Sequence, residues 1–435
     1  MNTKKKVALT TLGCKLNFSE SSGIAQQFEE AGYTRVEPGE EADVYIINTC
    51  TVTELANKKS KQAIRKMIKQ NPKAKVIAVG CYSQLKPDEV SAIEGVDLVL
   101  GSDNKFEVLK ELEKLETGSS TRIVVSKSHK EDKFTPSYSY GDRTRSFLKV
   151  QDGCDYFCSY CTIPGARGRS RNNSVEETIA KAREVVSKGI KEIILTGVNI
   201  GDFGRSTNEN FFQLVQAFEQ VEGLERLRIS SIEPNLLTDE ILEFAVHSNK
   251  VVPHFHLPLQ CGTDHLLRLM RRRYTTSLYA RRIAKIKSLL PDACIAADVI
   301  VGVPGETDDE FEKSLEFIRS IDISYLHVFT YSERENTMAV KMEGQVPLEI
   351  RKERSKRMHE LAHEKQTHFQ QQHLNTVRPV LFEAMESKGL MSGFTDNYIK
   401  VEIPFQKNLI NTTQPVKLER IKANGTVQGK LMIEA

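Results

Sequence analysis

The chain has 435 residues, 39% hydrophobic and 27% charged, and its 61 Lys and Arg against 58 Asp and Glu leave a formal net charge of +3. That length accommodates two or three domains and excludes a mini-protein or a disordered tail. No apolar run approaches the ~18 residues of a membrane-spanning helix and no secretory cleavage pattern follows Lys4, Lys5 and Lys6, so a soluble, cytoplasmic protein is expected, whose eight cysteines point to metal or redox chemistry rather than a disulfide framework.

In residues 1–125 the runs Val7–Thr10, Val44–Ile47 and Lys75–Val79 read as strands, and Ser19–Glu30 and Leu55–Ile68 carry helical spacing. The alternation predicts an α/β domain with an open parallel sheet. Residues 126–145, polar and holding Pro136, Ser137, Ser139 and Gly141, read as a linker. Across 146–347 the alternation continues through six candidate strands: Phe147–Gln151, Glu192–Thr196, Arg226–Ser230, His254–Leu257, Ile295–Val301 and Tyr325–Thr330. Such repetition predicts a TIM-like barrel of parallel strands, partial or full, with its active site at the C-terminal strand ends; a doubly wound open sheet fits the pattern too. Residues 348–373 read as a charged connecting helix. In 374–435 the runs Val377–Glu383, Tyr398–Ile403, Val416–Ile421 and Lys430–Ile433, separated by Gly393, Asn397, Asn411 and Gly425, predict a small all-β barrel.

Two runs hold eight basic residues each and no acid, Lys58 to Lys75 and Arg268 to Lys287. Either alone reads as a solvated helix face; together, in a nearly neutral chain, they favour a nucleic-acid partner.

The strongest local signal is Cys154, Cys158 and Cys161 in a C-x3-C-x2-C run just after the first predicted barrel strand. Three thiolates on one loop suit three irons of a 4Fe-4S cluster and leave the fourth open for chemistry. Zinc would want a fourth ligand, and the next Cys or His in sequence is His247. Cys14, Cys50 and Cys81 each follow a predicted strand of the first domain, so a parallel sheet would carry all three to one edge, where a second cluster with three protein ligands is expected. Cys261 and Cys294 read as packing residues.

The cysteine run resembles the signature of the radical S-adenosylmethionine (SAM) superfamily, in which SAM chelates the open iron and is cleaved to a 5'-deoxyadenosyl radical. Further residues narrow the resemblance. Thr11 to Asn17 (TLGCKLN), Asn48 to Thr53 (NTCTVT), Gly80-Cys81, Ile163 to Arg171 (IPGARGRSR), Leu195 to Asn199 (LTGVN), Ser230 to Pro234 (SSIEP), His256 to Gln260 (HLPLQ) and Val301 to Thr307 (VGVPGET) are together similar to the methylthiotransferases. The resemblance spans the whole chain. It implies an N-terminal methylthiotransferase domain with an auxiliary cluster, a radical SAM domain forming a partial (β/α)6 barrel, and a C-terminal TRAM barrel. Cys14-Lys15-Leu16-Asn17 and the Thr-Val-Thr after Cys50 are most similar to the branch acting on threonylcarbamoyladenosine in tRNA.

The implied reaction inserts a methylthio group at C2 of that adenine, beside the anticodon, using two 4Fe-4S clusters and SAM both as methyl donor and as radical source. Cys154, Cys158 and Cys161 are then the radical SAM cluster ligands, and Cys14, Cys50 and Cys81 hold the sulfur-carrying auxiliary cluster. Gly197, Asn199, Ser231, Glu233 and Gln260, after barrel strands, are the expected SAM contacts, and Arg167, Arg169 and Arg171 are candidates to meet SAM carboxylate or RNA phosphate. Expected partners are the tRNA anticodon stem-loop, an external electron donor and a sulfur source, with no membrane; the oligomeric state is open. The competing readings are isopentenyladenosine tRNA or a ribosomal-protein aspartate as substrate and, from another class, a non-catalytic iron-sulfur RNA-binding or electron-transfer protein.

Overall fold

The computed structural model describes residues 4–118, 122–126, 134–141 and 144–432. The first unit is a six-stranded parallel sheet of β1 (Lys6–Thr11), β2 (Thr34–Val36), β3 (Val44–Thr49), β4 (Lys75–Gly80), β5 (Leu98–Leu100) and β6 (Ile123–Val124), in the order β2-β1-β3-β4-β5-β6. Strand β3 is buried throughout because both faces are covered. Val44 and Ile46 pack with Ile24 and Phe28 of helix α1 (Lys15–Glu30), while Tyr45 and Ile47 pack with Ile64 and Met67 of helix α2 (Glu54–Gln70). The expected open sheet is present, with β2, β5 and β6 added. Those three are two or three residues long, too short to show a period.

The central unit holds six parallel strands: β7 (Arg145–Lys149), β8 (Glu192–Thr196), β9 (Arg226–Ile229), β10 (His254–His256), β11 (Cys294–Val301) and β12 (Tyr325–Thr330). They pair as β7-β8-β9 and β10-β11-β12, and the parallel bridges Leu227–Val251 and Ser231–His256 join the two groups. Among the described residues β7 and β12 do not pair, so the barrel is partial, as expected, and the doubly wound alternative is excluded. Five helices outside it start where Ser174, Asn210, Thr238, Thr275 or Thr307 accepts a backbone N–H of the first turn; such caps contribute about 1 kcal/mol each. Cys261 lies in this core.

Of the stretch 126–145, residues 127–133 and 142–143 lie outside the described ones. The rest is less of a free connection than its composition suggests. Tyr138 pairs antiparallel with Leu148, Ser137 Oγ lies 2.9 Å from Ser19 Oγ, and Phe147 N donates to Ser139 Oγ at 2.8 Å. Its small polar side chains are satisfied by the elements on either side.

Helix Leu348–Gln372 connects the barrel to the C-terminal unit, burying Met358 and Leu361 in the barrel core and Phe369 in the terminal one, where Cys294 also packs. The terminal unit is a closed barrel of β13 (Val377–Ser387), β14 (Leu390–Thr395), β15 (Lys400–Pro404), β16 (Thr413–Ile421) and β17 (Val427–Leu431), in the order β13-β14-β15-β17-β16. Gly393, read as a separator, belongs to β14: a Cβ there would lie 2.5 Å from Leu381 O, so the barrel needs a glycine at that strand crossing. Ile433, the end of the last expected run, lies outside the described residues.

This terminal barrel docks at the N-terminal ends of the central strands. Arg226 donates to Phe394 O at 3.0 Å and Pro379 O at 2.8 Å, Arg228 to Asp396 O at 3.0 Å, and Arg145 to Glu383 at 2.9 Å. The opposite, C-terminal ends stay free for chemistry.

Candidate active site

Strands β1, β3 and β4 end in register, Thr11 opposite Asn48 and Thr49 opposite Gly80, so the residues that follow share one sheet edge. Cys14 and Cys50 lie there, and Cys81 opens the short helix α3 (Cys81–Leu85). Two glycines allow this closeness. A Cβ on Gly13 (φ +99°) would lie 2.9 Å from Cys50 Sγ, and one on Gly80 (φ +98°) 2.4 Å from Asn48 Oδ1. Asn17 ties the loops by donating to Leu12 O at 2.7 Å and Thr49 O at 3.3 Å. Cys50 and Cys81 are buried and Cys14 is exposed. Burial, reinforced by Cys81 and Cys14, pushes the Cys50 thiol up to about 12.

The second triad follows β7. Gly153 (φ +70°) admits nothing larger, since a Cβ would meet Arg169 O at 1.9 Å, and the antiparallel bridge Asp152–Arg171 closes the loop. Cys154, Cys158 and Tyr156 form a small buried cluster flanked by Cys161, Val198 and Leu236. Each sulfur receives an N–H: Tyr156 N to Cys154 and Ile163 N to Cys161, both at 3.4 Å, and Arg272 Nη1 to Cys158 at 3.1 Å. Burial pushes Cys154 and Cys161 up to about 12. Three grouped sulfurs, each facing a donor, fit an iron-sulfur cluster, because iron takes the thiolate that burial alone disfavours and N–H···S bonds tune its potential.

The strand-end residues expected around SAM lie on the loops after β8, β9 and β10. Gly197 sits against Gln151, whose Oε1 would lie 2.8 Å from an added Cβ. The same oxygen accepts from Val198 N and Asn199 N at 2.9 Å, while Gln151 Nε2 donates to Asp152 O and Gly153 O, so Gln151 ties the β8 loop to the cysteine loop. Asn199 Oδ1 accepts from Glu233 N at 3.4 Å, and its amide also faces the buried Asp202 carboxylate. Ser231 O accepts from Ile200 N, and Gln260, at φ +69°, donates its N–H to Asp298 O at 2.8 Å. Glu233 is buried and both of its oxygens accept from Arg272.

Arg272 belongs to the second basic run, but the structure buries it between the Cys158 sulfur and the Glu233 carboxylate instead of leaving it open to solvent or RNA. Arg282, Lys285 and Lys287 of that run face Asp239, Glu243 and Asp322. By contrast Lys58, Lys59, Arg65, Lys66, Lys69 and Lys73 are exposed. Among the loop arginines Arg169 alone is open, with its side chain 74% exposed. Arg167, at 2%, is enclosed by Glu20, Asp152 and Asn17, and Arg171 lies against Asp103 and Asp152. Burial works against the Arg167 charge, but Cys81, Glu20 and Asp152 hold it protonated. Lys105 and Lys149 complete the network on Glu20, at 2.6 and 3.0 Å. Arg167 ends the helix Ile163–Arg167 that starts two residues after Cys161, and Asn17 stands three residues after Cys14, so this buried network joins the two cysteine loops. Its partners are far apart in sequence and leave no local pattern to find.

Residues 6–101 match the model described as Uncharacterized protein family UPF0004, and residues 148–318 match the Radical SAM superfamily. Over 405 residues the chain is 42% identical to threonylcarbamoyladenosine tRNA methylthiotransferase MtaB of Bacillus subtilis (strain 168), covering 91% of this chain and 89% of that one. The chain belongs to the radical SAM methylthiotransferases. This methylthiotransferase is also 39% identical to MtaB of Thermotoga maritima over 92% of its own length and 91% of the relative's. It is 33% identical to tRNA-2-methylthio-N(6)-dimethylallyladenosine synthase of Syntrophus aciditrophicus over 91% and 85%. In fold it is similar to the radical SAM methyltransferase TsrM from Kitasatospora setae, with a TM-score of 0.55 and 12% identity over 78% of each chain. As a radical SAM transferase it works with SAM and 4Fe-4S clusters. No helix among the described residues is long and apolar enough to cross a membrane.

Proposed function

We propose that this methylthiotransferase inserts a methylthio group at C2 of threonylcarbamoyladenosine beside the anticodon of tRNA. The observation that carries the reading is the pair of cysteine triads joined through Arg167, in a chain 42% identical to a relative named for that substrate. Cys154, Cys158 and Cys161 would hold the radical SAM cluster, and Cys14, Cys50 and Cys81 the auxiliary one. When bound, the clusters and SAM supply the radical, the sulfur and the methyl group.

The protein's own groups then orient and shield. Arg272 donates to the Cys158 sulfur and is held by Glu233, so Glu233 acts through Arg272. Gly197, Asn199, Ser231 and Gln260 would line the SAM site. The exposed cations of α2, with Arg169, form the basic surface offered to the anticodon stem-loop. The electron donor and sulfur source would be external. The functional domains follow the bounds 1–125, 146–347 and 374–435, with 126–145 and 348–373 between them.

Mass spectrometry of tRNA nucleosides from cells lacking and expressing the protein tests this. Methylthiolated threonylcarbamoyladenosine should appear only with expression. Methylthiolation of isopentenyladenosine instead would move the protein to the other tRNA reading.

A further inference from the structure

The interior of the partial barrel is polar in its middle. Along β10, β11 and β12 the residues Phe255, Ala297 and Leu326 pack outward into the core, so the alternate residues His256, Asp298 and His327 point inward. His256 Nε2 lies 3.0 Å from Asp298 Oδ1, and the His256 and His327 rings are 5.5 Å apart. Lys15, the residue after Cys14, enters this space from α1. Its Nζ lies 6.0 Å from the ring of Tyr398, which the terminal barrel contributes from below. Burial works against the Asp298 carboxylate, yet His256, His327 and Lys15 hold its pKa below the ordinary value. The Tyr398 ring that Lys15 approaches lies 4.4 Å from that of His254, two residues before His256 on β10, so geometry as well as charge brings Lys15 toward Asp298. Among the described residues the lysine has no hydrogen-bond or ion-pair partner, and its side chain is half-buried. His327 also lines a groove of about 340 Å³ with Tyr325, Phe329, His359 and His363, between β12 and the helix Leu348–Gln372.

His256, Asp298 and His327 bring their ligand atoms within 4.8 Å of one another, a set that suits a divalent cation by donor type alone. The Lys15 ammonium opposes a cation there. An unpaired half-buried cation beside a carboxylate already held by histidine calls for a ligand with an anionic end and a donor end.

Resting on the substrate reading above, we infer that this chamber is the subsite for the amino-acid substituent on the adenine: Lys15 pairs with its carboxylate, and Asp298, aligned by His256, accepts from its hydroxyl or ureido N–H. The place fits the chemistry. C2 and C6, the carbon that carries N6, flank N1 of the same ring, and Lys15 adjoins Cys14, so an adenine presenting C2 to the auxiliary triad brings its substituent toward the chamber. An isopentenyl group would leave the Lys15 ammonium desolvated and without a partner, which is how a hydrogen-bonding site rejects an apolar analogue.

The test uses reconstituted holoenzyme and anticodon stem-loops carrying threonylcarbamoyladenosine, isopentenyladenosine or adenosine, with binding and methylthiolation both measured. Wild type should prefer the threonylcarbamoyl stem-loop. Lys15→Gln should erase roughly ten- to hundred-fold of that preference, while Lys15→Arg retains part of it; Asp298→Asn should weaken it too. Iron content and the melting transition of each variant establish that clusters and fold persist. If wild type discriminates and Lys15→Gln discriminates equally, the chamber is not the subsite although the substrate reading stands. If wild type shows no preference and methylthiolates another adenosine, the substrate reading itself falls. Stoichiometric zinc binding that His327→Ala abolishes, with the preference left intact, would also overturn the assignment.

Discussion

Arg167 grips Glu20 with both arms of its guanidinium, Nη1 3.0 Å from Oε1 and Nη2 3.0 Å from Oε2, joining the helix after the cysteine loop to the helix that follows Cys14. Both groups are buried, so each charge depends on the other, and removing one partner of such a pair costs about 3–5 kcal/mol. Arg167→Leu should lower stability by that order and reduce product formation more than iron content. Chemical denaturation gives the first quantity, and an unchanged unfolding midpoint would show that the network is not a structural joint.

The same network sets a pH dependence. Burial opposes ionisation of Glu20 and Asp152, but Arg167, Lys105 and Lys149 hold both carboxyls well below their ordinary values of 4.5 and 3.8. In acid the unfolded chain therefore binds more protons than the folded one, so this contribution is full above those values and is lost as pH falls toward the folded ones. Urea midpoints should drop below about pH 4.5, and Glu20→Gln should flatten that drop. Identical slopes for both proteins would assign the acid sensitivity elsewhere.

Two independent triads predict about eight irons per chain after anaerobic reconstitution. Replacing Cys154, Cys158 and Cys161 together by Ala should leave about half of them. Retention of all the iron, or none, in a folded variant would count against separate sites.

The triads should also separate by chemistry. Cys158→Ala is expected to abolish both 5'-deoxyadenosine and methylthiolated nucleoside, whereas Cys50→Ala should still release 5'-deoxyadenosine without methylthiolated product. Both are read from one reaction mixture. Methylthiolation by Cys50→Ala would exchange or erase the assigned roles.

Arg272 offers a test of positioning. Arg272→Leu removes the N–H aimed at the Cys158 sulfur and strands the Glu233 carboxylate, so activity should fall about 10- to 100-fold. A loss of cluster hydrogen bonding should also move the reduction potential downward. Redox titration followed by electron paramagnetic resonance separates this from simple misfolding, which would remove the signal instead of shifting it.

For RNA, reversing Lys58, Arg65, Lys66 and Lys69 to Glu should weaken tRNA binding and reduce its salt slope by about 1 for each phosphate that is no longer neutralised. Deleting 374–435 would not isolate a contribution of the terminal barrel to tRNA binding. It would uncover Arg145, Arg226 and Arg228, which the terminal barrel covers. Phe394 and Tyr398 are likewise held by the central barrel, under Arg145 and Arg228, so they serve the joint between the two units.

What the sequence determined by itself was whatever depends on chain-local spacing. Apolar period and turn residues specify parallel strands in two units and a β-barrel in a third. A cysteine one to three residues past β1, β3 and β4 reaches a common edge because parallel strands end on the same side. Capping residues such as Ser174 with Glu177 mark helix starts for the same local reason. Only the tertiary structure decided what each charge faces. Arg272 looks like a member of a basic run and Arg167 like a contact for an external anion, yet packing buries them on carboxylates 39 and 147 positions away, while Lys15, unremarkable beside Cys14, enters a chamber built by three other strands. A charge has no periodicity to betray its partner; burial and the low local dielectric select that partner only once the domains have closed on each other.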